Sequence, residues 1–344
     1  MRESLASGGR PRVPARGSLV SARLPLLLAA LLLAGCKAPD ALTRRSAEDE
    51  RAIARARSLA PEVDCLALEF DHTAREVTRA RDESYDRVRF RYTPAAELPA
   101  RLRSLAPTHL FLIVHGWMND GTGAQQFTSR WVNGLRQRLP AGANAAYVGI
   151  AWDSQRLVFH ESALAASVLG KRQVAPLVAS LRQALPSARI TLVGHSLGGR
   201  MMLAAADEAP ARSADLALLL EAAQDQGYLY ASAANAGAGA RLIVNVHSLR
   251  DEVLELAYET AMRAAALGRL GAERAPGARF PTIPLGETAP PRDAVAAALQ
   301  KPEARTSSGT RVLNIDATGL IPGHTAIFHP PVFDLAWMAA ALAR

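Results

Sequence analysis

The sequence predicts an α/β fold, in which a mostly parallel central sheet is covered by helices on both faces. Three observations lead to this prediction. From residue 109 onward, short apolar runs alternate with longer helical segments. The short runs are apolar almost throughout, as in strands that are buried on both faces. One of them, at residues 190–193, leads through a glycine-rich turn into a segment of strong helix formers.

The elements can be assigned in order along the chain. Residues 88–92 alternate between apolar and polar side chains and are predicted to form an edge strand. A further strand is possible around residues 66–70. The other predicted strands are 109–114, 145–152, 190–193, 215–221, 241–247 and 311–316. The predicted helices are 123–139, 161–185 with an interruption around Gly170 and Pro176, the segment after the glycine-rich turn, 258–267, 291–300 and 332–343. The irregular interval before the last strand is expected to be either a lid or a plain surface excursion.

The glycine-rich turn reads Gly194-His195-Ser196-Leu197-Gly198, a G-x-S-x-G pattern between a strand and a helix. Such a turn exposes the serine hydroxyl at a strained apex, while the two glycines avoid collisions with their neighbours. The helix that follows directs its N-terminal N–H groups toward any anion formed there. The alternative is a serine that only caps the helix. The strand, turn and helix occur together, which favours Ser196 as a nucleophile.

A serine nucleophile needs a base and a carboxylate that orients the base. Asp251 follows the predicted strand 241–247 and is the favoured acid, with Glu252 and Asp225 as weaker alternatives. His324 follows the last strand in a loop and is the favoured base. His329 adjoins two prolines that open the closing helix, so it is interpreted as structural.

The transition state of acyl transfer also requires N–H donors for the developing oxyanion. One candidate is the N–H of Leu197, directly after the nucleophile. The second should come from the loop after residues 109–114, where Gly116 lets the backbone turn and the N–H of Trp117, or that of Met118, faces the site. His115 is interpreted as a residue that braces this loop.

The chain order of Ser196, Asp251 and His324, with His115-Gly116-Trp117 upstream, resembles the α/β-hydrolase superfamily, in particular its bacterial lipase- and esterase-like members. The resemblance covers residues 88–344. It implies an α/β-hydrolase fold, Ser196 as nucleophile, His324 as base, Asp251 as orienting acid, and Trp117 and Leu197 as oxyanion donors.

The N-terminus resembles a bacterial lipoprotein signal. Five arginines precede an apolar run of eleven residues at 24–34, and Leu33-Ala34-Gly35-Cys36 follows the pattern of a lipobox. A run of this length is too short to span a bilayer. The resemblance implies that residues 1–35 are removed and that Cys36 becomes acylated. The protein would then be lipid-anchored in the cell envelope, and the favoured location is the periplasmic side of the outer membrane. The alternative is a soluble export signal in which Cys36 is incidental.

Composition excludes several other classes. A 49% hydrophobic content argues against wholesale disorder, and half of the formal charge of +8 falls within residues 1–35. The other arginines are scattered, so nucleic-acid binding is not expected. After Cys36 only Cys65 remains, which makes no intramolecular disulfide, and no metal-binding or cofactor motif occurs.

The predicted organisation is a signal peptide at 1–35, an N-terminal extension at 36–87, and a hydrolase domain at 88–344 with an insertion at about 255–310. The predicted function is a serine hydrolase that cleaves small-molecule or lipid esters through an acyl-enzyme. The rival hypothesis is a non-catalytic envelope binding or scaffold protein that keeps the fold while its acid and base fail to converge.

Overall fold

A computed structural model of the chain describes residues 65–70, 78–79, 86–87, 90–119, 121–152, 154, 159–231 and 236–343. The predicted signal peptide at 1–35 and the predicted lipidation site Cys36 lie outside these residues. Within the described part of the chain, no helix combines the length and the apolar character needed to cross a bilayer.

The secondary structure follows the predicted alternation closely. The strands are β1 (Cys65–Phe70), β2 (Thr78–Arg79), β3 (Asp86–Arg87), β4 (Phe90–Thr93), β5 (His109–Val114), β6 (Ala145–Trp152), β7 (Arg189–His195), β8 (Ala214–Leu220), β9 (Ala240–His247), β10 (Glu273–Ala275), β11 (Ala278–Arg279), β12 (Thr282–Pro284) and β13 (Arg311–Asp316). The helices are α1 (Leu98–Leu105), α2 (Gly121–Arg136), α3 (Phe159–Leu169), α4 (Ala175–Ala184), α5 (Leu197–Glu208), α6 (Tyr228–Ala231), α7 (Glu259–Met262), α8 (Leu267–Leu270), α9 (Arg292–Gln300) and α10 (Pro330–Leu342). Two π-helical turns, Gly170–Val174 and Leu254–Tyr258, precede α4 and α7, and a 3₁₀ turn, Pro302–Ala304, follows α9.

Nine strands form the central sheet, in the order β12-β13-β9-β8-β7-β5-β6-β1-β4. All pairs from β12 to β6 are parallel. Strand β1 is antiparallel to both of its neighbours, and β4 forms an edge as predicted. Strand β7 therefore lies in the middle of a parallel sheet, and the loops after β7, β9 and β13 emerge at the same edge.

Both faces of the sheet are buried, which explains the uninterrupted apolar runs. In β5, Leu110 and Leu112 belong to a core cluster on one face, and Phe111 and Ile113 to the cluster on the other. The first cluster packs against α1, α3, α4 and α5, and the second against α2, α9 and α10. The prediction of helices on both faces is thus confirmed.

Two parts of the sheet differ from the expected layout. Strand β1 pairs with β4 and β6, so the sheet extends across the boundary predicted at residue 88. The interval predicted as an insertion supplies strand β12 at the opposite edge. It is also tied to the sheet by Asn314, whose side chain accepts a hydrogen bond from the N–H of Ala272 at 2.8 Å and donates to the carbonyl of Ala272 at 2.9 Å. The start of this interval is therefore a fixed part of the domain.

Candidate active site

Ser196 lies at the turn between β7 and α5, at the carboxyl end of a central strand of the parallel sheet. Its backbone has φ 53° and ψ −122°, a conformation that L-residues other than glycine rarely adopt. Its N–H donates to the carbonyl of Leu220 and its own carbonyl accepts from the N–H of Ala223, both at 3.0 Å. The sharp turn is therefore held by the neighbouring strand β8, and the strain, on the order of 1–3 kcal/mol, is stored at the predicted nucleophile.

The close approach of the backbone explains the glycines around Ser196. A Cβ atom on Gly198 would lie 2.5 Å from the carbonyl oxygens of Val114 and His115. A Cβ on Gly116 would lie 2.8 Å from the Cβ of Ser196. The loop after β5 thus passes directly against the turn, as a loop that supplies an oxyanion donor must do.

The predicted acid and base lie next to each other. Nδ1 of His324 is 2.6 Å from Oδ2 of Asp251, a short, charge-assisted type of contact. The side chain of Asp251 is fully buried and that of His324 is 10% exposed. The other oxygen, Oδ1 of Asp251, accepts from the N–H of Leu254 at 2.8 Å, which fixes the carboxylate in place.

The structure distinguishes Asp251 from the alternative acids, Glu252 and Asp225. Glu252 is exposed to solvent. Asp225 accepts a hydrogen bond from the hydroxyl of Tyr258 at 2.8 Å, so its carboxylate is engaged elsewhere. Among the predicted acids, Asp251 is the one whose carboxylate contacts the imidazole of His324. His329 is at the N-cap position of α10, where its side chain makes no capping hydrogen bond, and its interpretation as structural stays a prediction.

The loop after β5 is braced from several sides. The ring of His115 contacts the carbonyl of Gly116 through Nδ1 at 2.9 Å, and its Nε2 accepts from the N–H of Trp152 at 3.3 Å. The N–H of Met118 donates to the carbonyl of Ser154 at 3.0 Å. Because that N–H is engaged, Trp117 remains the candidate for the second oxyanion donor.

The first oxyanion donor proposed from the sequence begins a helix. Leu197 is the first residue of α5, where a backbone N–H has no carbonyl acceptor within the helix. Beside the loop, the ring of Phe159 packs edge-to-face on Trp117 with a centroid distance of 5.2 Å and on Tyr258 with 5.9 Å. The side of the site next to the loop after β5 is therefore lined by the aromatic rings of Trp117, Phe159 and Tyr258.

Sequence reasoning missed the role of His195, the variable residue of the turn. Its Nε2 lies 2.7 Å from the carbonyl oxygen of His324, and its ring lies 4.6 Å from the ring of His324. Burial holds the pKa of His195 well below its ordinary value, so the ring is neutral and Nε2 carries the proton that it donates. The ring also stacks on Phe127 at 5.7 Å. His195 thus fastens the loop that carries the predicted base to the turn that carries the predicted nucleophile.

A second residue, Glu221, also lies close to the predicted base and was missed. The sequence pattern predicts Glu221 as the last residue of strand 215–221, but it follows the end of β8 and is fully buried. One carboxyl oxygen of Glu221 and ring nitrogens of His195 and His324 lie within 4.8 Å of one another. These three side chains are donor types that could hold a metal ion. However, Nδ1 of His324 contacts Asp251, and Nε2 of His195 contacts the carbonyl oxygen of His324. A metal ion could therefore be bound only by the second nitrogen of each ring.

The parallel sheet, the strained serine turn after a central strand, and the order serine, aspartate, histidine after β7, β9 and β13 define the α/β-hydrolase fold. No protein-family model matches the chain, and no curated protein matches it. Several solved structures are similar to it at low identity.

A cutinase of Trichoderma reesei aligns at 15% identity and a TM-score of 0.29, over 40% of this chain and 64% of the cutinase, which is less than two thirds of that protein. Protein TT1662 of Thermus thermophilus aligns at 11% identity and a TM-score of 0.41, over 69% of this chain and 90% of TT1662. The siderophore hydrolase EstA of Aspergillus nidulans aligns at 13% identity and a TM-score of 0.37, over 70% of this chain and 84% of EstA.

Proposed function

We propose that this protein is a serine hydrolase that cleaves carboxylic esters through an acyl-enzyme. The observation that carries the proposal is the 2.6 Å contact between Nδ1 of His324 and Oδ2 of Asp251, beside the strained turn of Ser196. A non-catalytic scaffold has no need for a buried carboxylate paired with an imidazole next to an energetically costly serine.

The proposed reaction follows this sequence of steps. Nε2 of His324 accepts the proton of Ser196 as the hydroxyl oxygen attacks the ester carbonyl. Asp251 keeps the proton of the imidazole on Nδ1 and stabilises the imidazolium that forms. The N–H groups of Leu197 and Trp117 receive the negative oxygen of the tetrahedral intermediate, and each such donor contributes roughly 3–4 kcal/mol in the transition state. His324 then protonates the departing alcohol, and water cleaves the acyl-enzyme by the same route.

The test is labelling of the full-length protein by a fluorophosphonate probe, together with hydrolysis of p-nitrophenyl esters of increasing chain length. Ser196→Ala should abolish labelling and lower turnover by about 10⁶-fold. The matched control is Ser213→Ala, because Ser213 is a buried serine just before β8, at the opposite edge of the sheet. Labelling that survives in Ser196→Ala, or that is missing in the unsubstituted protein, would favour the binding or scaffold protein instead.

We also propose that Cys36 carries a lipid that anchors the enzyme in the bacterial envelope. The support is the arginine-rich start, the apolar run and the lipobox-like Leu33-Ala34-Gly35-Cys36 in the sequence. Cys36→Ser should move the protein from the membrane fraction to the soluble fraction, whereas Cys65→Ser should not. Unchanged membrane fractionation of Cys36→Ser would overturn this part of the proposal.

A further inference from the structure

The loop after β5 contains two backbone N–H groups that the sequence predicts as alternative oxyanion donors, those of Trp117 and Met118. A peptide bond is planar and trans, so the N–H of a residue points away from the carbonyl oxygen of the residue before it. The groups that hold the carbonyl oxygens of Gly116 and Trp117 therefore decide the directions of these two N–H groups.

The side chain of Asn119 holds both of these carbonyl oxygens. Its Nδ2 donates to the carbonyl of Trp117 at 2.9 Å and to that of Gly116 at 3.3 Å. Nδ1 of His115 also donates to the carbonyl of Gly116, at 2.9 Å. Nε2 of the same ring accepts from the N–H of Trp152, so a single tautomer of His115 satisfies both contacts. The amide of Asn119 thus spans two successive peptide groups of the loop.

The two peptide groups differ in their other contacts. In the peptide that joins Trp117 to Met118, the N–H donates to the carbonyl of Ser154 at 3.0 Å, so both ends of this peptide are bound within the protein. The peptide that joins Gly116 to Trp117 lies against the serine turn, because a Cβ on Gly116 would be 2.8 Å from the Cβ of Ser196. These contacts exclude the N–H of Met118 as an oxyanion donor and fix the direction of the N–H of Trp117.

Asn119 is itself held firmly in place. Its N–H donates to Oγ of Ser154, and that hydroxyl donates to the carbonyl of Asn119, both at 2.9 Å. Ser154 follows β6 and is fully buried. Helix α2 packs on the side chain, since a Cβ on Gly123 would lie 2.5 Å from Oδ1 of Asn119. The residue before it, Met118, has φ 60°, a strained conformation that persists only where surrounding contacts impose it. Those contacts converge on Asn119.

We propose that Asn119 is a positioning residue for the oxyanion site. By holding the carbonyls of Gly116 and Trp117, its amide keeps the N–H of Trp117 directed at the substrate oxygen that becomes negative when Ser196 attacks. The inference rests on the proposed hydrolase function. Because these bonds exist before the substrate arrives, the donor needs no reorganisation as the charge develops, and this is the condition under which such a donor lowers the barrier most.

The test uses Asn119→Asp, which keeps the size of the side chain but replaces the donating amide by an oxygen that repels the two carbonyls. We expect kcat for p-nitrophenyl esters to fall by roughly 10²-fold, the cost of losing one oxyanion donor, while KM changes by less than about twofold. An alkyl trifluoromethyl ketone forms a tetrahedral adduct with the serine and places its negative oxygen at the same donors. Its inhibition constant should rise by the same factor as kcat falls.

The chain offers a matched control in Asn144, which makes the same kind of contact away from the site. Its Nδ2 donates to the carbonyls of Leu105 and Ala106 at 3.0 and 3.2 Å, just before β6 and thus at the opposite edge of the sheet. Asn144→Asp should lose stability in urea but retain kcat and the inhibition constant of the ketone. An unchanged kcat in Asn119→Asp, a loss confined to KM, or an equal loss of kcat in Asn144→Asp would overturn the proposal.

If Asn119→Asp does not fold, Asn119→Ala decides the question, because it removes the two bonds without adding a repulsive oxygen. Its kcat should be at least about tenfold lower at an unchanged KM, and full kcat would overturn the proposal. The two proposals also fail differently. Absence of Ser196-dependent labelling in the unsubstituted protein would remove the hydrolase function itself, whereas full Ser196-dependent turnover in the Asn119 variants would remove only the role of Asn119.

Discussion

The imidazole of His324 and the carboxylate of Asp251 meet at 2.6 Å although 73 residues separate them in the chain. They lie on loops that follow β13 and β9, which are neighbouring parallel strands. The register of those two strands brings both loops to the edge where Ser196 forms its turn.

His324→Ala should lower turnover of p-nitrophenyl esters by about 10⁶-fold, because the serine then has no proton acceptor. His329→Ala is the matched control, since His329 is at the N-cap position of α10, makes no side-chain capping hydrogen bond and lies in the same loop. It should retain turnover. Equal losses in both variants would contradict the assignment of His324 as the base.

Ser196→Gly should be more stable than Ser196→Ala by about 1 kcal/mol, because glycine adopts a positive φ at little cost. Both variants lack the hydroxyl, so urea unfolding compares only the backbone. At Ser167, within helix α3, the alanine variant should instead be more stable than the glycine variant, since glycine is unfavourable inside a helix. The same order at both positions would argue against strain at residue 196.

Glu221→Gln should become more stable relative to the unsubstituted protein as pH rises. The pKa of Glu221 is raised from 4.5 to about 10 by burial and by Asp251, so between these values the unfolded chain is ionised while the folded chain keeps its proton. The folded state then binds more protons, and its stability falls with increasing pH by at most about 1.4 kcal/mol per pH unit.

Replacement by glutamine removes this dependence, which urea unfolding between pH 5 and pH 8 measures directly. Glu252→Gln, at an exposed position, should leave the pH dependence of stability unaltered. Parallel stability curves for Glu221→Gln and the unsubstituted protein would show that Glu221 is ionised in the folded state.

Gly116→Ala should lower kcat by roughly 10²-fold with little change in KM, because the new Cβ would lie 2.8 Å from the Cβ of Ser196 and displace the loop that carries the proposed oxyanion donor. Gly319→Ala is a suitable control, since a Cβ there meets no atom within 4 Å among the described residues. A change confined to KM would indicate that the loop binds substrate without stabilising the transition state.

His195→Phe should lower kcat, because phenylalanine can still stack on Phe127 but cannot donate to the carbonyl of His324. A displacement of the base by about 1 Å can cost roughly 10²-fold. His160→Phe, on the exposed start of α3, should be neutral. An unchanged kcat in His195→Phe would mean that the loop of His324 is fixed by other contacts.

The sequence alone determined the features that depend on short stretches of chain. The strands β5 to β9 and β13 follow from apolar runs, and the serine turn follows from the spacing of Gly194, Ser196 and Gly198. Asp251 and His324 could be proposed as acid and base because the loops that carry them follow identifiable strands. Each of these inferences needs only local pattern and chain order.

The tertiary structure decided what depends on distant residues meeting. It placed the carboxylate of Asp251, and not that of the exposed Glu252, against the imidazole of His324. It paired the N–H of Met118 with the carbonyl of Ser154, and it brought His195 and Glu221 close to His324. It also supplied β12, which the local pattern did not indicate, and placed β1 between β6 and β4 in the sheet. The physical reason is that burial and proximity between loops arise only once the strands have paired, and these two quantities set which side chains touch and which carry a proton.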